Sequence, residues 1–299
     1  MKSRFEWPTY LLIATTYGIF VLGALSASWS QILAIIILTI AGVLHSSLSH
    51  EVLHGHPTRY DWLNALFVMP ALTLFVPYFR FRDTHIAHHR DENLTDPYDD
   101  PETNFLDPIQ WQKLPTWRQR VYLWNNTLLG RMVIGPIIGQ LSCMRSDMRA
   151  IAGGDGRIAL SWAVHIASVA VILWGLLILT DVSLTTYVMA SYFTLSILKI
   201  RTFLEHRAHE DAPSRTVIIE DRGLFALFFL NNNFHSVHHT YPKVPWYELP
   251  DLYERTKPQL IARNGGYVYR SYKEIFAKYF VRTKDPVPHP LMTHPTSDT

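Results

Sequence analysis

The chain carries 15 histidines in 299 residues, and most of them stand in three short clusters. In His50-Glu-Val-Leu-His54 the two imidazoles are four residues apart, which puts both on one face of a helix. His85-Ile-Ala-His88-His89 and His235-Ser-Val-His238-His239 repeat one pattern, H-x-x-H-H. At this histidine content such a pattern is expected by chance about 0.04 times in the chain. It occurs twice, so scattered polar surface residues are a poor account of it. Metal binding is the chemistry that needs convergent imidazoles. These eight are too many for one ion, since zinc takes four ligands and keeps only three from protein at a catalytic site. Two six-coordinate first-row ions would use about eight or nine and leave room for water or oxygen. Imidazole suits iron, copper, nickel and zinc, so the donor type points to a dinuclear site without naming the metal.

A ninth donor is expected near the end of a later apolar segment, in Arg201-Thr-Phe-Leu-Glu-His206-Arg-Ala-His209. His206 is the first choice, with His209 one helical turn on as the alternative. His45 precedes His50 by five residues and points elsewhere, and His56 precedes Pro57 and leaves the helix. His165 lies within an apolar run and reads as packed or hydrogen-bonded, while His289 and His294 carry no assignment. Ligating histidines pass their second N–H to a carboxylate or carbonyl. The candidates are Glu51, Asp83, Asp91, Glu92 and Glu205. Asn231-Asn232-Asn233, just before the third cluster, offers an amide for a metal-bound water or for a helix cap.

The elements that must carry these clusters are apolar and long. Residues 8–49 hold no Asp, Glu, Lys or Arg, and residues 158–198 hold only Asp181. A membrane-spanning helix needs about 20 mainly apolar residues. Four segments qualify, at about 8–27, 31–49, 160–179 and 184–203, and short turns at 28–30 and 180–183 pair them into two hairpins. Continued through His54, the second helix reaches about 36 Å. Neither turn contains Lys or Arg, so all 27 basic residues fall on the other side with the histidine clusters, the arrangement expected of the cytoplasmic face. Segment 64–79 is apolar but short and holds Pro70 and Pro77, which reads as re-entrant or interfacial. Segments 127–141 and 224–230 read as amphipathic packing beneath a polar cap, with docking on the membrane surface as the alternative. The expected fold is therefore all-α and integral to a membrane. Four spans in two hairpins support a cytoplasmic helical cap (50–157 and 204–285) that holds a di-metal site, and a loosely ordered tail covers 286–299.

Composition removes several classes. The lone Cys143 excludes an internal disulfide, a cysteine zinc site and a cysteine-ligated iron–sulfur cluster. A net charge of +2 gives no reason to expect nucleic acid. Lys2 and Arg4 before an apolar stretch imitate a secretory signal, but the stretch runs on too long without a clear small-residue cleavage site.

The three boxes interleaved with two hairpins resemble the membrane fatty-acid desaturase superfamily over roughly residues 44–250. The phrases HEVLHGHPTR, NNTLLGR and NNNFHSVHHTYPKVPWY are similar to its bacterial branch. The resemblance implies a mushroom-like helical fold in the bacterial inner membrane, with both termini and the active site cytoplasmic. It also implies two non-haem irons held by His50, His54, His85, His88, His89, His235, His238 and His239, with a further histidine where His206 stands. The implied reaction uses O2 to introduce a double bond into a fatty-acyl chain or acyl lipid. Its electrons come from outside, from a ferredoxin-like protein and its reductase. A lipid, alkane or carotenoid hydroxylase or ketolase, or a desaturase of a small amino compound, would share the scaffold. From another class, His50-Glu51-Val-Leu-His54 is formally the H-E-x-x-H of a zinc peptidase, with Glu51 as base, but that reading leaves the other boxes unexplained. Reporter fusions at the two ends are expected to read cytoplasmic for both; an external reading would overturn the charge argument.

Overall fold

The structure is a computed structural model that describes residues 5–292, apart from the side chain of Asp91. It is mostly helical. Trp7–Ser26 (α1) and Gln31–Leu53 (α2) form the first hairpin, Asp61–Leu66 (α3) follows, and Tyr78–His88 (α4) carries the second histidine box. Short helices Pro108–Lys113 (α5), Thr116–Asn125 (α6) and Leu128–Val133 (α7) lead to Gly135–Ala152 (α8). The second hairpin is Gly156–Leu179 (α9) and Leu184–Thr202 (α10). Beyond it lie Leu224–Phe228 (α11), His235–Thr240 (α12), Leu249–Arg263 (α13) and Tyr272–Tyr279 (α14). A two-stranded parallel ribbon, Ile218–Ile219 (β1) with Val268–Tyr269 (β2), ties this last part together.

Helix starts follow local chemistry. Ser30, Asp155 and Ser183 each turn a side-chain oxygen to backbone N–H groups in the first turn of α2, α9 and α10. Of the four expected spans, α1, α2 and α9 are long and apolar enough to cross a membrane. Their outer faces leave Leu22, Ile36, Leu160, Ile166 and Trp174 exposed, a belt suited to lipid rather than water. The fourth, α10, is more polar because Thr186, Ser191 and Thr194 lie along its inner face, each no more than 2% exposed. α2 is the central helix, packed between α1 and α10. Its approach to α10 depends on Gly42, where a Cβ would stand 2.3 Å from Thr194 Oγ1.

Residues 67–77 enter this bundle without forming a helix. Irregular backbone at membrane depth needs its polar groups satisfied by protein, and the neighbouring helices supply the partners. Tyr17 donates to the Phe67 carbonyl at 2.7 Å, and Ser168 donates to Met69 O at 3.0 Å while accepting from Ala71 N–H at 2.8 Å. Ser191 accepts from Leu74 N–H, His165 meets the Leu74 carbonyl at 3.0 Å, and Gln140 donates to that of Phe75. The segment packs inside the bundle as irregular chain, and His165 has the hydrogen-bonded role expected of it.

One continuous apolar core joins bundle and cap: Val43 and Ile200 from the long helices meet Leu128, Val217, Phe229, Tyr269 and Tyr272. The segments around 127–141 and 224–230 divide between the two expectations. Leu128, Phe229 and Leu230 are buried, whereas Val133, Ile137, Leu141, Leu224 and Leu227 present bare apolar side chains. The described part of the tail is not loose. Leu106 N–H bonds to Val287 O at 2.9 Å, His289 N–H bonds to Leu106 O at 2.8 Å, and Val287 is buried. The expectation of a loosely ordered tail fails over these residues because their backbone partner, Leu106, is distant in the chain. Replacing Ser168 by Ala should strip partners from the Met69 carbonyl and the Ala71 N–H and destabilise the protein by about 1–3 kcal/mol. A lowered unfolding temperature of the detergent-solubilised protein would register it.

Candidate metal centre

Three helix ends and one loop meet at the same end of the bundle. The last turn of α2 brings His50 and His54, α4 brings His85, His88 and His89, and α12 brings His235, His238 and His239. His206 follows α10 and is fixed by a backbone bridge to Thr216. Their nitrogens fall into two groups, in each of which the donor atoms lie within 4.8 Å of one another. One group is His50, His54, His85, His89 and His238; the other is His88, His206, His235 and His239.

The spacing explains this division. Residues four apart share a helix face, whereas adjacent residues point about 100° apart, so neighbouring imidazoles turn to different points. His85 and His89 therefore go to one group and His88 to the other, while His235 and His239 go to the second and His238 to the first. Each H-x-x-H-H box thus serves both groups, and the two boxes do so in opposite senses. The expected ninth donor, His206, completes the second group. His209 stays outside, accepting from Asp211 N–H at 3.1 Å.

The arrangement fits chelated cations. Nε2 atoms face one another at 2.8 Å (His88 and His206), 3.0 Å (His85 and His89) and 3.1 Å (His89 and His238). The Nε2 atoms of His50 and His54 are buried without a hydrogen-bond partner. Buried nitrogen lone pairs aimed at a common point need a positive partner. Burial holds His54 down to about 2 and drives His89, His206, His235 and His238 well below the usual histidine range, so their neutral, metal-binding form is favoured. His88 is the exception. Burial opposes its charge, but the carboxylates of Glu102 and Asp100 outweigh it and raise His88 to about 9.

Those carboxylates also orient the rings. His88 donates from Nδ1 to Asp100 Oδ1 at 2.7 Å, and His85 from Nδ1 to Glu102 Oε1 at 3.0 Å. Asp100 is itself held by the N–H groups of Thr95 and Glu102, both at 2.9 Å. With Nδ1 engaged, Nε2 is directed inward as a donor to metal. Neither Asp100 nor Glu102 stood among the expected carboxylates. The signal was a run of acids and prolines, DPYDDPE, whose folding back over α4 is a tertiary event.

Of the five expected carboxylates, Glu205 lies 3.7 Å from His235 Nδ1. Glu51 accepts instead from Trp246 N–H at 2.9 Å, Asp83 pairs with Arg82 and Arg157, and Glu92 is exposed. The side chain of Asp91 lies outside the described residues. In the asparagine run, Asn232 places Oδ1 3.2 Å from His235 Nδ1, whereas Asn231 and Asn233 bond to backbone carbonyls. His45 belongs to neither group, His56 meets Glu6 at 2.8 Å, and His289 stands against Thr95 at 3.2 Å. His294 lies outside the described residues.

The family model described as fatty acid desaturase matches residues 27–272. This chain belongs to the fatty acid desaturase family. Comparison with curated proteins finds no match. For this desaturase-family chain, membership and the histidine groups together mark an oxidoreductase of the desaturase or hydroxylase type. A cation entering the second group would displace the proton that His88 shares with His206. Metal uptake by the metal-free protein near neutral pH should therefore release about one proton at this site. Asp100→Asn should reduce that release and weaken metal binding about 10- to 100-fold. Chelator competition and pH change in weakly buffered solution measure the two effects.

Proposed function

We propose that this protein is an O2-dependent desaturase that introduces a double bond into a fatty-acyl chain or acyl lipid. Its ligands are His50, His54, His85, His88, His89, His206, His235, His238 and His239, and its metal is a pair of non-haem irons. The observation that carries the reading is the pairing of two adjacent imidazole groups at the end of a lipid-facing bundle, inside a chain of this family. In this reading all four long helices span the membrane, with the polar inner face of α10 shielded by α2. The basic residues then put the centre and both termini on the cytoplasmic side of a bacterial inner membrane.

Iron held in this way supplies O2 reduction and hydrogen removal from an unactivated methylene. The chain's own residues do the rest. Asp100 and Glu102 hold protons at Nδ1 of His88 and His85 and so set the orientation of both rings. Asn232 and Glu205 flank His235 in the same way. The re-entrant segment and the core beneath the cap exclude water from the centre. The lone cysteine offers no cluster-binding site, and the electron donor in this reading is a ferredoxin-like protein with its reductase. The peptidase reading has no support in the geometry, because Glu51 is turned to the Trp246 backbone and away from both imidazole groups.

His88→Ala and His238→Ala, one from each group, are expected to abolish product formation while membrane insertion persists. Lipid analysis of cells with and without the chain, with iron content and O2 consumption of the purified protein, tests the assignment. Full activity of either variant with undiminished metal would refute it. Alcohol or ketone products in place of alkenes would identify the hydroxylase or ketolase alternative.

A further inference from the structure

Two voids flank the start of α4, and they share a single lining residue, Tyr78. The outer one is an open groove of about 410 Å³, floored by Val52, Leu53 and Ile86 from the backs of the first two histidine boxes. Its rim carries Arg82, Arg90 and Arg157 against two carboxylates, Asp61 and Asp83. Asp83 is shared by Arg82 at 2.9 Å and Arg157 at 3.2 Å, whereas Arg90 is exposed and has no ion-pair partner among the described residues. The inner void, about 40 Å³, lies inside the bundle, lined by Ser49, Phe81, Thr73 and Leu198 among others. It adjoins the candidate centre directly: Ser49 precedes His50, and the Phe81 ring lies 5.4 Å from that of His85.

A void of 40 Å³ holds a water or two and no acyl chain, so its use by a lipid requires the wall to move. Tyr78 is suited to move. Its ring is only partly buried, and its hydroxyl makes no hydrogen bond among the described residues, so rotation breaks none. Swinging it aside would join groove and void into one path from the basic rim to His50 and His85.

We infer that the groove is the headgroup site for the substrate of the proposed desaturase, that its ligand is a lipid with an anionic headgroup, phosphate or carboxylate, and that Tyr78 gates passage of the tail to the metal centre. This rests on the function proposed above. The free guanidinium of Arg90 beside the paired Arg82 and Arg157 gives the rim its net positive charge. The apolar floor accepts the first methylenes, and the Tyr78 ring decides what passes inward.

Purified, metal-loaded protein in uncharged detergent is titrated with three single-chain lipids of equal acyl length, ending in a phosphate, a carboxylate or an uncharged glycerol. At least one anionic lipid should bind about tenfold more tightly than the uncharged one, the scale of one charge-assisted contact, and Arg90→Gln should remove most of that difference. The better anion identifies the headgroup. Tyr78→Trp should weaken binding and raise KM with metal content unchanged, Tyr78→Phe should behave as the parent, and Tyr78→Ala should speed association. Equal binding of all three lipids overturns the headgroup assignment, and a Trp variant that binds as well as the Ala variant overturns the gate. If the Arg90 and Tyr78 effects appear but no lipid is oxidised, the groove assignment stands and the desaturase reading fails.

Discussion

Gathering nine imidazoles at the end of an apolar bundle is the constraint on which the rest of this structure depends. Each nitrogen withdrawn from water needs a partner, and these rings point most of their Nε2 atoms at one another. Such a cluster is unfavourable without positive charge at its middle and without carboxylates behind the rings. Asp100 and Glu102, reached by an acidic loop, meet the second need, and Asp100 is pinned there by the backbone N–H groups of Thr95 and Glu102. The first need is what marks the site as a candidate metal centre rather than a polar core.

The membrane imposes the same demand on the backbone. Residues 67–77 cross the bundle interior as irregular chain, and hydroxyls, an amide and an imidazole from α1, α8, α9 and α10 satisfy them. This accounts for the polarity of α10, which would be odd in a helix chosen only for lipid. Ser191 and Thr194 face inward, where they bond to neighbouring backbone. The loop in turn fills the space below the histidines and forms part of the inner void against which Tyr78 packs.

Much of the fold was legible because its signals are local. Apolar runs of helical length located the long helices to within a few residues at most ends, and proline in residues 64–79 marked the segment that forms no long helix. The boxes were legible for a similar reason: spacing of three and four along a helix sets which imidazoles share a face, whatever the helix packs against. Of the expected carboxylates whose side chains are described, only Glu205 lies near the imidazole groups, because an acid's neighbour is set by how loops fold back. The order of the described part of the tail, 286–292, was not legible either, since its partner Leu106 is almost two hundred residues away.

By itself, then, the sequence determined that histidines at His50, His85 and His235 begin helical boxes, that apolar helices carry them, and that His206 was the position to examine for a ninth donor. Those are consequences of helical period and hydrophobic length. Only the tertiary structure decided which group each imidazole of a box joins, that His206 and not His209 completes the second, and that Asp100 and Glu102 stand behind His88 and His85. Nitrogens from three helices and a loop must meet within a few ångströms for that, and such distances are set by packing, not by any stretch of chain alone.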